Sequence, residues 1–152
     1  MVRCILLCHD VLRINGELSG ASQDELALMK MVEDRCACKL ISRDSDTIKL
    51  EMQLNIETYQ IKKVYDFTSD RKMMSITVLR EKDGKIINYA KGADMVLQSK
   101  LAERDAEVER VFKEMDEFAD MGLRTLVFAM KELDPDYLLN SENDNDSVES
   151  GY

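Results

Sequence analysis

Two short segments of the sequence carry side chains that suit a flat, negatively charged ligand. Residues 66–75 read Asp-Phe-Thr-Ser-Asp-Arg-Lys-Met-Met-Ser, and residues 91–94 read Lys-Gly-Ala-Asp. Aromatic residues make up only 6% of the chain, so Phe67 at the entry to an apolar strand stands out. An aromatic ring stacks on a planar group, and lysine ammonium groups attract an anion. Phe67, Lys72 and Lys91 are therefore candidates for one binding site.

A predicted hairpin connects the two segments. Residues 73–82 and 85–91 have the composition of strands, and they flank Asp83-Gly84, a dipeptide typical of two-residue turns between antiparallel strands. An ideal turn of this type places Lys91 opposite Ile76. The two candidate lysines then lie on the same face of the hairpin, and this arrangement predicts a local cationic site.

The composition predicts one soluble domain and excludes several classes of partner. The chain has 152 residues, 45% of them hydrophobic, and a formal net charge of −9. This charge argues against a nucleic-acid partner, because proteins that bind the phosphate backbone carry a basic stripe. No apolar run approaches the ~20 residues that span a bilayer. His9 and Asp10 end the first apolar run and no cleavage site follows, so we expect a cytosolic domain without a signal peptide.

The usual patterns of metal sites and catalytic centres are missing from the sequence. Buried reduced thiols are the favoured interpretation of the four cysteines, and a metal site that includes His9 is the alternative. Neither a Gly-x-x-x-x-Gly-Lys-Ser/Thr loop nor a Gly-x-Gly-x-x-Gly loop is present. No Ser or Cys partner for His9 follows from the spacing, and we expect this side chain to cap or pack in the first helix.

Three segments have the pattern of helices. Residues 3–12 are compatible with a short apolar helix. Ser22 and Glu25 form a Ser-x-x-Glu capping box ahead of an apolar run, which predicts a helix over residues 23–35. Apolar residues at helical spacing predict a further helix within residues 102–121, with charged side chains on its surface.

The strands indicate an α+β fold with an antiparallel sheet of about six strands flanked by helices. Residues 46–56 alternate strictly between apolar and polar, which predicts one half-buried strand, and residues 59–65 continue this period in the next strand. Residues 124–131 predict a last strand, in which residues 126–129 (Leu-Val-Phe-Ala) are apolar on both faces, as expected of a central strand. We assign residues 1–139 to the domain and residues 140–152 to a polar tail that should be disordered.

Three segments together resemble the nucleotide-binding domain of P-type ATPases. They are residues 66–75, residues 89–94 (Tyr-Ala-Lys-Gly-Ala-Asp) and residues 122–126 (Gly-Leu-Arg-Thr-Leu). The Asp at position 94, where Pro is found elsewhere in the family, and the Gly-Leu-Arg-Thr-Leu segment resemble the phospholipid-flippase subgroup.

Two weaker matches precede these segments in the same order as in the family. Residues 7–10 (Leu-Cys-His-Asp) resemble its Cys-His-Thr-Val segment. Residues 21–28 resemble its Ser-Ser-Pro-Asp-Glu-x-Ala-Leu segment, with Gln23 in place of the usual Pro. The resemblance covers about residues 4–133, and five matches in order make it specific.

The resemblance implies that the domain binds ATP. It implies a set of ATP-binding residues: Glu25, Phe67, Ser69, Lys72, Lys91, Gly92, Ala93 and Arg124. Phe67 would stack on the adenine ring, and Glu25 would accept a hydrogen bond from the adenine amino group. Lys91 would line the adenine pocket with its ammonium near the triphosphate. Lys72 and Arg124 would add positive charge toward the phosphates, and Gly92 would let the backbone approach the ligand.

Each of these residues also has a structural interpretation. Phe67 fits a core side chain at the start of a strand, and Lys91 fits a solvated lysine at the end of one. Lys72 and Arg124 can pair with aspartates, for which the candidates are Asp66, Asp70 and Asp94. Glu25 can complete the capping box instead of facing a ligand.

The family's chemistry needs parts that this sequence does not contain. It lacks the Asp-Lys-Thr-Gly-Thr segment whose aspartate is phosphorylated, the acidic Mg²⁺ site of the phosphorylation domain and every membrane helix. The resemblance therefore implies a cytosolic fragment that holds adenosine and presents the γ-phosphate to an aspartate elsewhere. Its partners would be the phosphorylation and membrane domains of a parent chain, which alone would meet a phospholipid. A protein-interaction module that binds no nucleotide is the alternative, and a free-standing hydrolase is disfavoured.

Overall fold

The computed structural model describes residues 1–102, 105–137 and 148–152. The helices of the described part are α1 (Val2–Leu7), α2 (Gln23–Cys36), α3 (Asp94–Gln98) and α4 (Ala106–Asp120). Its strands are β1 (Leu12–Ile14), β2 (Glu17–Ser19), β3 (Cys38–Arg43), β4 (Thr47–Met52), β5 (Asn55–Tyr65), β6 (Met73–Arg80), β7 (Lys85–Gly92) and β8 (Val127–Leu133).

The described strands form a six-stranded antiparallel sheet in the order β3-β4-β5-β6-β7-β8, in which every neighbouring pair is consecutive in sequence. This α+β architecture confirms the predicted fold class. A separate two-stranded sheet joins β1 to β2 around Asn15 and Gly16, both at positive φ. Neither β1 nor β2 was predicted from the sequence.

The main hydrophobic core lies between one face of the sheet and helices α1 and α2. Leu6 of α1 and Met29 of α2 are fully buried there against Ile76 of β6. Burying one such side chain stabilises the fold by about 1.5–3 kcal/mol. Helix α2 begins where predicted, because the Ser22 hydroxyl accepts the backbone N–H of Glu25 at 3.3 Å.

The opposite face of the sheet is more polar. Met73, Ala90 and Leu97 form a small second core on this face. Beside it, Thr77 and Asn88 are buried, and the Asn88 amide donates a hydrogen bond of 2.8 Å to the Thr77 hydroxyl. Buried polar groups of this kind must be paired, because an unpaired one costs about 1–3 kcal/mol.

The predicted strand over residues 46–56 is two strands. Gln53 and Leu54 adopt positive φ angles of 50° and 72°, so the chain reverses there and Met52 pairs with Asn55. Leu54 and Ile56, which the alternation predicted to be buried, are exposed. The apolar alternation continues through the turn in the sequence, and hydrophobic period alone therefore does not reveal the reversal.

The register of the β6–β7 hairpin also differs from the prediction. Lys91 pairs with Met74 and not with Ile76, because the last pair before the turn is Arg80 with Lys85. The turn therefore contains four residues. The Arg80 guanidinium holds it by two hydrogen bonds to the Asp83 carboxylate, at 2.6 and 2.9 Å. The shift of two residues leaves Lys91 on the predicted face of the sheet.

The last strand begins later than predicted. Strand β8 starts at Val127, so Arg124 lies in the connection before it, and β8 is an edge strand of the described sheet instead of a central one. The preceding helix α4 ends at Asp120, and Gly122 takes the C′ position after it, as expected. The N–H of Gly122 binds the Ala119 carbonyl, and the N–H of Leu123 binds the Phe118 carbonyl.

The tail predicted over residues 140–152 falls partly outside the described residues. Residues 140–147 are not described, whereas residues 148–152 pack against the sheet, with Val148 and Glu149 buried. All four cysteines lie in the described part and are free thiols. Burial raises the pKa of Cys4 to about 12, so this thiol is neutral.

Candidate functional site

A cavity of about 350 Å³ opens where the first turn of α2 meets β6, β7 and the loop between β5 and β6. Four predicted site residues line it, namely Glu25, Phe67, Lys91 and Arg124. Apolar side chains complete its wall, namely Leu28, Met74 and Leu126. Its size and mixed lining are typical of a small-molecule site.

An ion pair between Lys91 and Glu25 lies in the wall of this cavity. The side chains are 11% and 14% exposed, respectively, and the Lys91 ammonium donates directly to the Glu25 carboxylate. The backbone N–H of Asp10 donates to the other Glu25 oxygen at 3.2 Å. The Glu25 carboxylate therefore faces the cavity, and only the Ser22 half of the predicted capping box forms.

Phe67 lies at the rim of the cavity and is 61% exposed. It belongs to residues 66–72, a loop whose turn is closed by hydrogen bonds to Thr68. The Lys72 N–H binds the Thr68 carbonyl at 2.8 Å, and the Arg71 N–H binds the Thr68 hydroxyl at 3.1 Å. Phe67 is therefore not the core side chain that the alternative interpretation required, and its ring is accessible from the cavity.

Arg124 forms the outer edge of the same cavity. Its side chain is 86% exposed, and its guanidinium lies 2.8 Å from the carboxylate of Asp24 in the first turn of α2. An aspartate partner was predicted for Arg124, but the predicted candidates Asp66, Asp70 and Asp94 were wrong. The weak, solvent-exposed pair with Asp24 leaves Arg124 available to an anion at the cavity mouth.

Four other predicted site residues are not part of this lining as the described residues form it, namely Ser69, Lys72, Gly92 and Ala93. Lys72 is exposed, at a positive φ of 51°, and its carbonyl accepts the Ala93 N–H at 3.0 Å. A Cβ on Gly92 would lie 2.6 Å from the Cβ of Met73 and 2.8 Å from the Lys72 carbonyl oxygen. Close pairing of β6 and β7 is thus a sufficient reason for glycine at this position.

The segment before β1 adds groups that the sequence analysis did not single out. The carboxylate of Asp10 lines the cavity, and burial and the neighbouring Glu25 raise its pKa. Arg43 of β3 lies beneath it, 4.0 Å from that carboxylate and 3.1 Å from the Leu7 carbonyl. Asp10 falls inside the motif of residues 7–10, which was the available signal. No motif or spacing in the sequence predicts that Arg43 lies at the site.

His9 fixes the backbone beside Asp10. Its Nδ1 accepts the N–H of Val11 at 2.9 Å, and its Nε2 contacts the Leu6 carbonyl at 3.0 Å. Burial lowers the pKa of His9 to about 3, so the ring is neutral and donates from Nε2. The predicted packing of this histidine is confirmed, but it lies beyond the end of α1 at Leu7 and not within the helix.

The charges around the cavity favour a neutral ring over a polyanion. Three carboxylates line it, those of Asp10, Asp24 and Glu25, against the two cations Lys91 and Arg124. The Arg43 guanidinium lies behind Asp10, at 4.0 Å, so the charges of the wall roughly balance. A triphosphate group inside would gain no net attraction, whereas a ligand whose anionic part extends to Arg124 would gain it there. Among the described residues, no three His, Cys, Asp or Glu side chains form a group that could hold a metal ion.

Comparison with known proteins identifies a matching family and several relatives. The model of the P-type ATPase cytoplasmic domain N matches residues 1–151. The chain is 36% identical to phospholipid-transporting ATPase IC of Xenopus tropicalis over 86% of its length and 11% of that protein. It is 36% identical to phospholipid-transporting ATPase ID of Homo sapiens over 89% of its length and 12% of that protein.

A third relative is the probable phospholipid-transporting ATPase tat-5 of Caenorhabditis elegans, with 39% identity over 87% of this chain and 13% of that protein. The chain thus spans about a tenth of the length of the curated relatives it matches. Within residues 1–102, 105–137 and 148–152, no helix has the length and apolar content needed to cross a membrane.

Proposed function

The chain belongs to the family of P-type ATPase cytoplasmic N domains, and on that premise we propose that its cavity binds ATP. One observation carries the proposal: Glu25, Phe67, Lys91 and Arg124, from four separate parts of the chain, converge on one cavity of about 350 Å³. An exposed ring beside a cation and a carboxylate supplies a stacking surface and polar anchors for adenine.

The roles follow from the positions of the side chains. Adenine stacks on Phe67, a contact worth roughly 1–3 kcal/mol, and its amino group donates to the Glu25 carboxylate. The Lys91 ammonium, held by Glu25, lies beside the base. The phosphates leave the cavity past Arg124, with exposed Lys72 as a further cation.

We propose that the chain is one domain of a larger protein. The relatives are named phospholipid-transporting ATPases, and the parent would be an integral membrane protein of this kind with this domain in the cytosol. The domain holds adenosine and presents the γ-phosphate to an aspartate in a separate phosphorylation domain. Mg²⁺ would reach the reaction as the ATP complex, and the fragment alone would bind ATP without hydrolysing it.

The expected affinity of the isolated chain is modest. One stacked base and a few partly exposed charge contacts correspond to about −4 to −5.5 kcal/mol, or a Kd of about 0.1 to several mM. An NMR titration with ATP tests this. The amide signals of Phe67, Lys91 and Gly92 should shift with a common saturation curve.

Matched phenylalanine variants make the titration specific. Phe67→Ala should weaken ATP binding about tenfold by loss of the stack. Phe118→Ala, which removes another exposed ring from α4, should leave the Kd unchanged. No shifts at millimolar ATP in the folded chain would refute the proposal and would favour a protein-interaction module that binds no nucleotide.

A further inference from the structure

Residues 148–152 occupy a groove on the face of the sheet opposite the cavity. The backbone of Tyr152 forms two hydrogen bonds with the segment after α3, to the Lys100 carbonyl at 3.0 Å and from the Ala102 N–H at 2.7 Å. The Tyr152 hydroxyl donates to the buried Asn88 amide oxygen at 2.7 Å. Val148 is buried. Both ends of the segment are therefore in contact with the rest of the domain.

Glu149 is the charged anchor of this segment. Its side chain is only 10% exposed, and its carboxylate accepts hydrogen bonds from the fully buried Ser75 hydroxyl and from the Arg71 guanidinium. A carboxylate this deep is stable only when it is paired and hydrogen-bonded. The contact with Arg71 is thus needed for Glu149 to stay in the groove.

Arg71 connects this groove to the loop that carries Phe67. One guanidinium nitrogen binds Glu149, and the other donates to the carbonyl oxygen of Asp66 at 2.5 Å. The guanidinium also lies 5.6 Å from the centre of the Tyr65 ring. Asp66 immediately precedes Phe67, so the hydrogen bonds run from Glu149 through Arg71 to the residue that sets the direction of the loop.

Phe67 needs such support from outside its own side chain. Because its ring is 61% exposed, packing does little to fix it, and the backbone of the loop determines where the ring lies. A loop that samples several conformations binds a ligand more weakly, in proportion to the fraction of time it is competent. Contacts that hold the loop therefore raise affinity without touching the ligand.

We propose that Glu149 and Arg71 are positioning residues of the nucleotide site, and that residues 148–152 act as a clasp that holds the Phe67 loop in its binding conformation. This inference rests on the proposed ATP site. Neither side chain lies in the described lining of the ATP cavity. Displacement of the clasp loosens the loop, and ATP affinity falls while the domain stays folded.

The test is the ATP affinity of Glu149→Gln against a matched control. Glu57 also has a nearly buried carboxylate that accepts from an arginine and a hydroxyl, those of Arg3 and Tyr59. It is not among the described residues that line the cavity. By NMR titration, Glu149→Gln should raise the Kd for ATP about three- to tenfold. Glu57→Gln should leave the Kd within about twofold of the original chain.

Two further measurements separate positioning from a general loss of structure. Arg71→Lys keeps the charge, but one ammonium cannot reproduce both guanidinium contacts, so it should weaken ATP binding to a similar degree. In a Phe67→Ala chain, Glu149→Gln should have no further effect on the Kd, because the ring whose position matters is gone. The Lys72 amide of this loop is bonded to the Thr68 carbonyl, and its hydrogen exchange should accelerate in Glu149→Gln and not in Glu57→Gln.

The outcomes distinguish this inference from the proposed function. If the original chain shows no ATP binding, the ATP site itself is refuted. If it binds ATP, and Glu149→Gln and Arg71→Lys bind equally well, the clasp is refuted while the ATP site stands. An equal effect of Glu149→Gln with and without Phe67 would also overturn the inference, because the segment would then act on the domain as a whole.

Discussion

Two cation–carboxylate pairs in this domain use the same chemistry in different settings. Arg3 and Glu57 join α1 to β5, and Lys91 and Glu25 join β7 to α2. Both carboxylates are largely shielded from water, at 8% and 14% exposure. Glu57 is bound through both oxygens by Arg3, at 2.7 and 3.0 Å, and by the Tyr59 hydroxyl, whereas Glu25 borders a cavity.

The difference indicates which pair is structural and which is available to a ligand. A nearly buried carboxylate that already accepts three hydrogen bonds from an arginine and a tyrosine has little capacity left for a ligand, and its pair fixes two elements together. A lysine offers three donors, and a carboxylate beside open volume can accept a further hydrogen bond. The Lys91–Glu25 pair thus combines a structural contact with a binding surface, and the two uses can be separated by substitution.

The largest expected effect is that of Lys91→Met. It leaves Glu25 shielded from water without its cation, so the free energy of unfolding should fall by about 2–3 kcal/mol, less than for a dry pair because the cavity admits water. The Kd for ATP should rise more than tenfold. Urea denaturation measures the first effect, and NMR titration measures the second.

The double variant Lys91→Met/Glu25→Gln provides the control. With both charges removed, most of the lost stability should return, because no isolated charge remains near the interior. ATP binding should stay weak. If affinity returned together with stability, Lys91 and Glu25 would matter to ATP only through the fold, and the contrast with Arg3–Glu57 would disappear.

Glu57→Gln should lower the stability of the domain without changing its affinity for ATP, and the loss of stability should be smaller than for Lys91→Met. It removes the charge that Arg3 and Tyr59 bind, and it should lower the free energy of unfolding by about 1–2 kcal/mol. ATP affinity should be unchanged. Glu25→Gln in the same two assays should instead change the Kd for ATP. A change in Kd for Glu57→Gln would contradict the distinction between the structural pair and the pair that faces the ligand.

The effect of Glu57→Gln should depend on pH. The hydrogen bonds from Arg3 hold the pKa of Glu57 below its usual value of 4.5. The ionised Glu57 carboxylate therefore contributes its full stabilisation above the pKa that it has in the unfolded chain. This contribution is lost as the pH falls through the lower pKa that it has in the folded chain. The difference between the original chain and Glu57→Gln should therefore be constant near neutral pH and shrink below pH 4.5.

The sequence predicts much of this fold because most elements have their own local signal. The capping serine predicts the start of α2, helical spacing predicts α4, and Gly122 marks its end. The reversal at Gln53 and Leu54 could not be predicted, since neither residue is typical of positive φ and the alternation runs through it. The Asp83-Gly84 dipeptide correctly predicted a turn, but the predicted length of two residues was wrong. The turn has four residues, and Arg80 binds Asp83 within it.

The candidate site is predicted less completely, because it is assembled from distant parts of the chain. The family motifs place Glu25, Phe67, Lys91 and Arg124 in one site, and these four line the cavity. The motifs do not show which of their residues face the cavity. Gly92 belongs to the same motif as Lys91, but it allows close pairing of the strands. The support from Arg71 and Glu149 depends on a contact across 78 positions, and no local pattern encodes such a contact.

The smallest expected effect is that of Arg124→Ala, which removes a solvent-exposed ion pair at the mouth of the cavity. The Arg124–Asp24 pair is open to water, at 86% and 56% exposure, so its loss should change the free energy of unfolding by less than about 0.5 kcal/mol. The Kd for ATP should rise about two- to fivefold, because a screened charge at the cavity mouth meets the phosphates weakly. Adenosine carries no phosphate, and its Kd should not change. Equal losses for ATP and adenosine would show that Arg124 acts on the base, and the phosphates would then leave the cavity elsewhere.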